Sequence, residues 1–235
     1  MPHHPALTLL APNLWSTQHR LSVQGLPVRT RMTVARLAGS QLWLHSPVPP
    51  TPALRDALDA LGTVAFVVAP NRMHHLYAGD WLAHYPQAQL WGAPGLAAKR
   101  PDLPNLRSLP SQMGNTTPAE WLGALALQGF GGIPLLNESV WLHQPTGSLI
   151  VTDLLQYYPQ DLSLSAKLFN ALNGTRSHLA MPRAVRFSIK NKAAARASAA
   201  AICQWPVERI VLAHDTVIAQ DAAGQLRAAL AFLVD

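Results

Sequence analysis

The chain has 235 residues, 49% of them apolar and 13% charged, and its 18 basic and 12 acidic side chains give a net charge of +6. This composition excludes an intrinsically disordered chain, which needs few apolar and many charged residues. The single cysteine, Cys203, excludes a disulfide framework and a cysteine-rich structural zinc site, so any metal ligands must be His, Asp or Glu. The length fits one α/β domain over residues 1–235.

The first half of the chain alternates predicted strands and helices. Thr51 followed by Pro52 is typical of a helix start, because Thr caps free backbone N–H groups and Pro fits the first turn. An apolar run at 63–69 is typical of a buried parallel strand. The predicted elements are strands at 26–37 and 41–45, a helix at 53–61, a strand at 63–69, a helix at 77–84, a strand at 88–91 and a short helix at 94–99.

The second half continues this alternation and adds a hairpin. Thr146 and Gly147 predict its turn, and Asn191 and Asp221 predict helix starts. The elements are strands at 122–128, 139–143 and 148–152, a helix at 164–172, a helix from 191 to about 204, a strand at 208–213 and a helix from 221 to 234. Strands that alternate with helices and hairpins predict an α/β fold with mixed sheets and outer helices.

Several partner classes are not expected from the sequence. The longest apolar run, 61–70, is far shorter than the ~20 residues of a membrane-spanning helix, so we expect no membrane association. Residues 1–5 lack the features of a secretory signal, which predicts a cytoplasmic protein. The basic residues at 183–196 accompany no motif that reads RNA or DNA, so we interpret them as a solvated face and expect no nucleic-acid partner. The expected partner is a small-molecule substrate.

Histidine and aspartate follow three predicted strands at the point where each strand ends. In open α/β folds, ligand sites collect beyond the carboxyl ends of the strands, so three such ends indicate convergence on a metal ion. His and carboxylate ligands with an open position are typical of catalytic sites. They suit zinc, and also iron and manganese. The residues are His74 and His75, then Asp153, then His214 and Asp215.

The segments 42–47, 68–76, 94–100 and 149–155 carry a resemblance to a known family. In them, a strand leads into a His-rich loop and a helix, and a hairpin ends in Asp153. Together with the strand that ends at His214, they resemble the metallo-β-lactamase superfamily, and more narrowly an uncharacterised branch of it, a family of unknown function. The resemblance implies an αββα four-layer sandwich with two mixed β-sheets.

The first metal loop departs from the pattern of that superfamily, His-x-His-x-Asp-His. With His75 as its last residue, Pro70 and Arg72 replace the first two histidines and His74 replaces the aspartate. No histidine lies at 131–136, where the resemblance implies another ligand of the first metal position. The resemblance therefore implies a single divalent ion, zinc in preference to iron or manganese. Its implied ligands are His74, His75, Asp153 and His214.

These residues predict a metal-dependent hydrolase that activates water against an ester, lactone, thioester or phosphoester. Besides Asp153, the candidate catalytic residues are Asp215, expected to orient His214, and Arg72, expected to bind a substrate anion or oxyanion. Arg72 could instead neutralise Asp153 or fill the vacated metal position. The substrate pocket is expected beside 153–186. The alternative is a non-catalytic ligand-binding or scaffold protein with a degenerate site, which the lost histidines favour, and a one-iron redox protein is a third hypothesis.

Each candidate also has a purely structural interpretation. His75 could cap the following helix, Asp153 could form an Asx turn, and His214 could be a loop histidine with its hydrogen bonds satisfied. His45, at the end of an earlier strand, could line the same cleft, but it is interpreted as a packed polar residue. Glu138 could reach the cleft from the loop before Ser139, but it is interpreted as a surface carboxylate.

Overall fold

The computed structural model describes residues 6–23, 26–110, 117–159 and 163–234. These residues form two mixed β-sheets and seven α-helices. None of the described helices has both the length and the apolar character needed to cross a membrane. Residues 1–5, on which the prediction of no secretory signal rests, lie outside the described residues, and the cytoplasmic location stays a prediction.

The chain divides into two compact units. The first comprises Met1–His19 and Arg31–Leu109, and the second comprises Arg20–Thr30 and Pro110–Asp235. Each unit has its own apolar core, drawn only from its own residues. The prediction of a single domain over the whole chain stays a prediction.

The sheet of the first unit has seven strands that are adjacent in chain order. Its elements are β1 (Thr8–Ala11), β2 (Leu14–Val23), β3 (Leu26–Arg36), β4 (Gln41–His45), α1 (Pro52–Asp59), β5 (Thr63–Ala69), α2 (Ala78–His84), β6 (Gln89–Gly92), α3 (Leu96–Lys99) and β7 (Arg107–Ser108). Strands β4 to β7 are parallel to one another, whereas β3 pairs antiparallel with β4. Strand β5 is almost wholly buried, as its apolar sequence predicts. Thr51 caps α1 by accepting a hydrogen bond from the Leu54 N–H. The tips of β2 and β3 belong to the second unit.

The sheet of the second unit has five strands in the order β12-β11-β10-β9-β8. Its elements are β8 (Leu125–Gly129), β9 (Ser139–His143), β10 (Ser148–Val151), α4 (Leu164–Asn173), α5 (Arg183–Phe187), α6 (Lys192–Cys203), β11 (Arg209–Leu212), β12 (Val217–Ile218) and α7 (Ala222–Val234). Strands β10 and β11 are parallel, and Val151 pairs with Leu212 at their carboxyl ends. The residues that follow these two strands therefore emerge at the same edge of the sheet. Asn191 caps α6 through a 3.0 Å hydrogen bond from the Ala194 N–H.

Sequence reasoning missed four elements of two to five residues and the ten-residue strand β2. These are β1, β2, β7, α5 and β12. It also began one strand too early: residues 122–124 form a turn before β8, because Gly123 adopts a left-handed φ of 82°. The other predicted strands and helices are present, with ends shifted by a few residues at most.

Candidate metal centre

Asp153 and His214 lie together at the carboxyl edge of the second unit's sheet. Strands β10 and β11 are parallel, so Asp153 and His214, which follow their carboxyl ends, lie side by side. Asp153 Oδ1 is 3.1 Å from His214 Nε2. Both side chains are largely buried, at 16% and 10% exposure. Both residues are sequence-predicted ligands, and together they offer one carboxylate and one imidazole donor.

The His214 ring lies between two hydrogen-bond acceptors. Its Nδ1 is 2.8 Å from the carbonyl oxygen of Arg29, which can only accept, so Nδ1 must donate. Its Nε2 points at the Asp153 carboxylate, another acceptor. The Nε2 atom and the carboxylate therefore need either a proton between them, carried by one group or the other, or a cation that both groups share. Burial alone lowers the pKa of His214, but the hydrogen bond and the charge of Asp153 outweigh it and raise the pKa above its ordinary value.

Asp215 acts on His214 through Arg29. The Asp215 carboxylate is buried and accepts a 3.1 Å hydrogen bond from the Arg29 guanidinium. The carbonyl of the same Arg29 holds Nδ1 of His214, so the Asp215 ion pair fixes the residue that orients the imidazole. An Nδ1–H donated to a carbonyl is how metal-binding histidines are commonly oriented. Sequence reasoning missed Arg29, because a backbone carbonyl from a distant hairpin leaves no signal in side-chain patterns.

Glu138 holds the turn that carries Asp153. Its carboxylate accepts hydrogen bonds of 2.8, 2.9 and 3.0 Å from the backbone N–H groups of Thr152, Asp153 and Leu154. The interpretation of Glu138 as a surface carboxylate is wrong: the residue is 2% exposed. Three N–H groups at the end of a strand need an acceptor, and the carboxylate supplies it. The available signal was its position directly before the wholly buried strand β9.

Tyr158 packs against the imidazole of His214. The two rings stack with centroids 6.5 Å apart and an angle of 23° between their planes. Burial raises the pKa of Tyr158 above its ordinary value, with the carboxylates of Asp153 and Asp215 adding to the effect. The phenol therefore stays protonated and covers one face of His214.

In the first unit, the loop after β5 is ordered by Asn71. Its side-chain oxygen accepts 2.8 Å hydrogen bonds from the backbone N–H groups of Met73 and His74, and the residue is fully buried. The Ser46 hydroxyl, which follows β4, is 2.7 Å from Nδ1 of His74. These contacts fix both the backbone and the ring of His74.

The imidazole of His75 contacts Arg100. The Arg100 guanidinium is 2.9 Å from its Nδ1 and can only donate, so that nitrogen must accept and the proton of the neutral ring lies on Nε2. Burial, together with the charges of Lys99 and Arg100, lowers the pKa of His75 to about 4. His75 is thus a neutral histidine that anchors Arg100 in this arrangement. Its role as a metal ligand stays a prediction.

Arg72 and His45 each bury a nitrogen atom. Neither Nε of Arg72 nor Nε2 of His45 has a hydrogen-bond partner among the described residues. His45 is 1% exposed and stacks on Trp43 with ring centroids 5.1 Å apart, in agreement with the expected packed strand end. Desolvation, followed by the nearby His74, lowers its pKa well below the ordinary value, so His45 is neutral.

Two mixed sheets, with His and Asp after the ends of their strands, are the arrangement found in the metallo-β-lactamase fold. Solved structures of this fold are similar to the chain. The metallo-β-lactamase from Pontibacter korlensis has a TM-score of 0.62 at 14% identity, over 96% of this chain and 98% of that one. The metallo-β-lactamase FIM-1 from Pseudomonas aeruginosa, in its mono-zinc form, has a TM-score of 0.63 at 11% identity, over 97% and 96%. The metal-soaked Flv1 flavodiiron core from Synechocystis sp. PCC6803 has a TM-score of 0.66 at 11% identity, over 97% of this chain and 60% of that one. The predicted fold is confirmed.

The family follows from the sequence match. Residues 12–180, well over half of the chain, match the family described as Domain of unknown function (DUF4336). The chain belongs to this family, in agreement with the predicted uncharacterised branch of the superfamily. No curated protein matches the sequence.

Proposed function

We propose that this protein is a metal-dependent hydrolase with one divalent metal ion, held by Asp153 and His214. The observation that carries the proposal is the His214 ring between two acceptors, with Nδ1 donating to the Arg29 carbonyl and Nε2 facing the Asp153 carboxylate. A cation between Nε2 and the carboxylate would satisfy both groups without a second proton on the ring.

The donor set fits a transition metal. One imidazole and one carboxylate suit zinc, and they also suit iron and manganese, of which we favour zinc. A similar fold in the mono-zinc form of FIM-1 is consistent with a single ion. We keep the sequence prediction that His74 is a further ligand. Since its Nδ1 contacts the Ser46 hydroxyl, His74 would coordinate through Nε2.

The chain's own residues would position the reactants. A divalent metal supplies Lewis-acid activation of water for attack on an ester, lactone, thioester or phosphoester. Glu138 fixes the turn that presents Asp153, and the ion pair of Asp215 with Arg29 orients His214. Arg72, whose buried Nε has no partner among the described residues, would bind an anionic group of the substrate or an oxyanion.

Metal content measured on matched variants tests the proposal. We expect about one zinc per chain in protein purified without chelator, and loss of that zinc in Asp153→Asn and His214→Ala, since each removes one donor. The controls are Asp221→Asn and His178→Ala, which alter an exposed aspartate and an exposed histidine of the same unit. Unchanged zinc content in both site variants, with folding verified by circular dichroism, would refute the assigned ligands.

Activity separates the hydrolase from the alternative. The zinc-loaded protein should hydrolyse a member of one of the four substrate classes, and Asp153→Asn should abolish that activity. Zinc bound at this pair with no hydrolysis in any class supports the non-catalytic ligand-binding protein instead. The specific observation that favours this alternative is Pro70 and Arg72 at two positions where the superfamily has histidines.

A further inference from the structure

The positive charge of this protein is concentrated in one segment of the second unit. Residues 163–207 contain seven Lys and Arg side chains and no Asp or Glu, whereas the remaining chain carries eleven basic and twelve acidic side chains. The net charge of +6 therefore originates entirely in this segment. Six of the seven cations are exposed, namely Arg176, Arg183, Arg186, Lys190, Lys192 and Arg196.

Helix α4, at the start of this segment, exposes its large apolar side chains to solvent. Its buried residues are the small Ala166 and the polar Asn170. Its large apolar side chains face the other way: Leu164 is 84% exposed, and three more are at least half exposed. At about 100° per residue, the leucines at 164, 168 and 172 fall on one stripe of the helix. The exposed apolar residues of α4 are Leu164, Leu168, Phe169 and Leu172.

Helix α5 continues the exposed apolar surface. The Arg183 guanidinium donates a 3.1 Å hydrogen bond to the Leu172 carbonyl, and the Ala184 N–H donates to the Asn173 side chain, so the start of α5 is joined to the end of α4. On α5, Phe187 is 85% exposed. Bulky apolar side chains and cations thus occur together on two adjoining helices. We call the exposed apolar residues of α4, together with Arg183, Arg186 and Phe187 of α5, the α4–α5 face. The other exposed cations lie on the chain beside these two helices and on α6, namely Arg176, Lys190, Lys192 and Arg196.

We propose that the α4–α5 face binds the surface of an anionic lipid bilayer, with its apolar side chains inserted at the headgroup boundary and its cations against lipid phosphates. Interfacial helices have this composition, with large apolar residues on the inserted side and Lys and Arg around them. The prediction of no membrane association was drawn from the lack of a spanning segment. A helix that lies in the interface needs no such segment.

Other occupants fit these observations less well. A second copy of the chain would set seven cations against seven cations, with no carboxylate in the segment to offset them. Nucleic acid would satisfy the cations but would leave the exposed leucines and phenylalanines against phosphates. An acidic protein groove would have to enclose side chains that protrude from two convex helices, whereas a bilayer adapts to each of them.

Vesicle co-sedimentation of the full chain tests the proposal. The probes are vesicles of phosphatidylcholine alone and vesicles of equal parts phosphatidylcholine and phosphatidylglycerol. We expect binding to the anionic vesicles, weak or no binding to the neutral ones, and a marked loss of binding at high salt, since salt screens the cations. Absence of binding to the anionic vesicles at low salt would overturn the proposal.

Two surface variants test separately the apolar side chains of the face and the cations that follow α5 in the chain. Leu168→Ser combined with Phe169→Ser should weaken vesicle binding at least about tenfold, because both lose apolar groups that would be buried in lipid. Lys190→Gln combined with Lys192→Gln should weaken it roughly thirtyfold, since each cation near an anionic surface contributes roughly fivefold. The matched control is Leu122→Ser with Leu135→Ser, which alters two leucines that are similarly exposed outside the face.

The remaining outcomes assign the face to another occupant. Equal vesicle binding by the two surface variants and the control would overturn the proposal. So would a dimer, seen by analytical ultracentrifugation, that Leu168→Ser with Phe169→Ser dissociates, because the second copy would then be the occupant. Circular dichroism of every variant separates lost binding from lost folding.

Discussion

Glu138→Gln is the sharpest test of how the site is built. The Glu138 carboxylate accepts three backbone N–H groups, two of them on Oε2 and one on Oε1. A glutamine of the same shape keeps one acceptor oxygen and turns the other into an NH₂ donor. In its best orientation it keeps the two hydrogen bonds from Asp153 and Leu154 and places the NH₂ group against the Thr152 N–H. The variant therefore loses a charge-assisted hydrogen bond and leaves a buried donor unsatisfied.

The expected cost follows from these counts. A hydrogen bond to a charged group contributes about 1.5–3 kcal/mol, and a buried unsatisfied donor costs about 1–3 kcal/mol, so we expect the free energy of unfolding to fall by about 2.5–6 kcal/mol. Urea unfolding measures it. The matched control is Glu208→Gln, an exposed glutamate of the same unit, which should change stability by less than about 0.5 kcal/mol. Equal stability of Glu138→Gln and Glu208→Gln would refute the role assigned to the carboxylate.

Three further predictions follow from the second unit. Gly132 and Gly123 share a φ of 82°, but a Cβ at 132 would collide with the Asn191 carbonyl oxygen, whereas one at 123 meets nothing. Gly132→Ala should therefore lower the free energy of unfolding by at least about 1–3 kcal/mol more than Gly123→Ala, and equal costs in thermal unfolding would contradict this. Burial lowers the pKa of His143 from 6.5 to about 4. At pH values between these two, His143 binds a proton in the unfolded chain but not in the folded chain. The free energy of unfolding should therefore fall as the pH drops from 6.5 to about 4. Urea unfolding at several pH values should show a smaller fall for His143→Gln than for the unsubstituted chain, and an equal fall would contradict the role of His143. Asparagine fits the positive φ of residue 215, so Asp215→Asn keeps the backbone but removes the ion pair with Arg29. The Kd for zinc should rise about tenfold, and an unchanged Kd would contradict the proposed orientation of His214 by Asp215.

Strands β3 to β6 and β8 to β11 could be predicted from the sequence, whereas β1, β2, β7 and β12 could not. The apolar run that forms β5 and the hairpin turn at Gly147 between β9 and β10 carry strong local signals, and the structure has both elements where they were predicted. Strands β7 and β12 have two residues each, too few for any periodicity. Helix α5 has five residues, with Phe187 exposed and Val185 buried, so it lacks the pattern of an amphipathic helix. Short elements of this kind are fixed by the packing of their neighbours rather than by their own sequence.

Sequence reasoning found the side chains of the site that directly follow strands. The residues after β10 and β11 were predicted as ligands because ligand sites in open α/β folds collect beyond the carboxyl ends of strands, and the structure brings Asp153 Oδ1 within 3.1 Å of His214 Nε2. Their role as metal ligands stays a prediction. The supports of the pair were missed. Glu138 carries only one weak signal, its position directly before an apolar strand, and Arg29 contributes a backbone carbonyl from a hairpin more than 180 residues away. A partner of this kind depends on the fold, which single-sequence patterns do not encode.

These supports also explain why the pair is a better candidate for a cation than a simple buried ion pair. The Arg29 carbonyl fixes one proton on Nδ1 of His214, so the tautomer that presents a lone pair at Nε2 is the neutral form of the ring. That lone pair and the Asp153 oxygen then face each other, an arrangement that repels unless something positive lies between them. A proton can fill that role, because the hydrogen bond and the charge of Asp153 outweigh desolvation and raise the pKa of His214 above its ordinary value. A metal ion brings the positive charge itself and leaves the ring neutral, so it competes with the proton for the position between His214 and Asp153, and its affinity should fall as the pH drops.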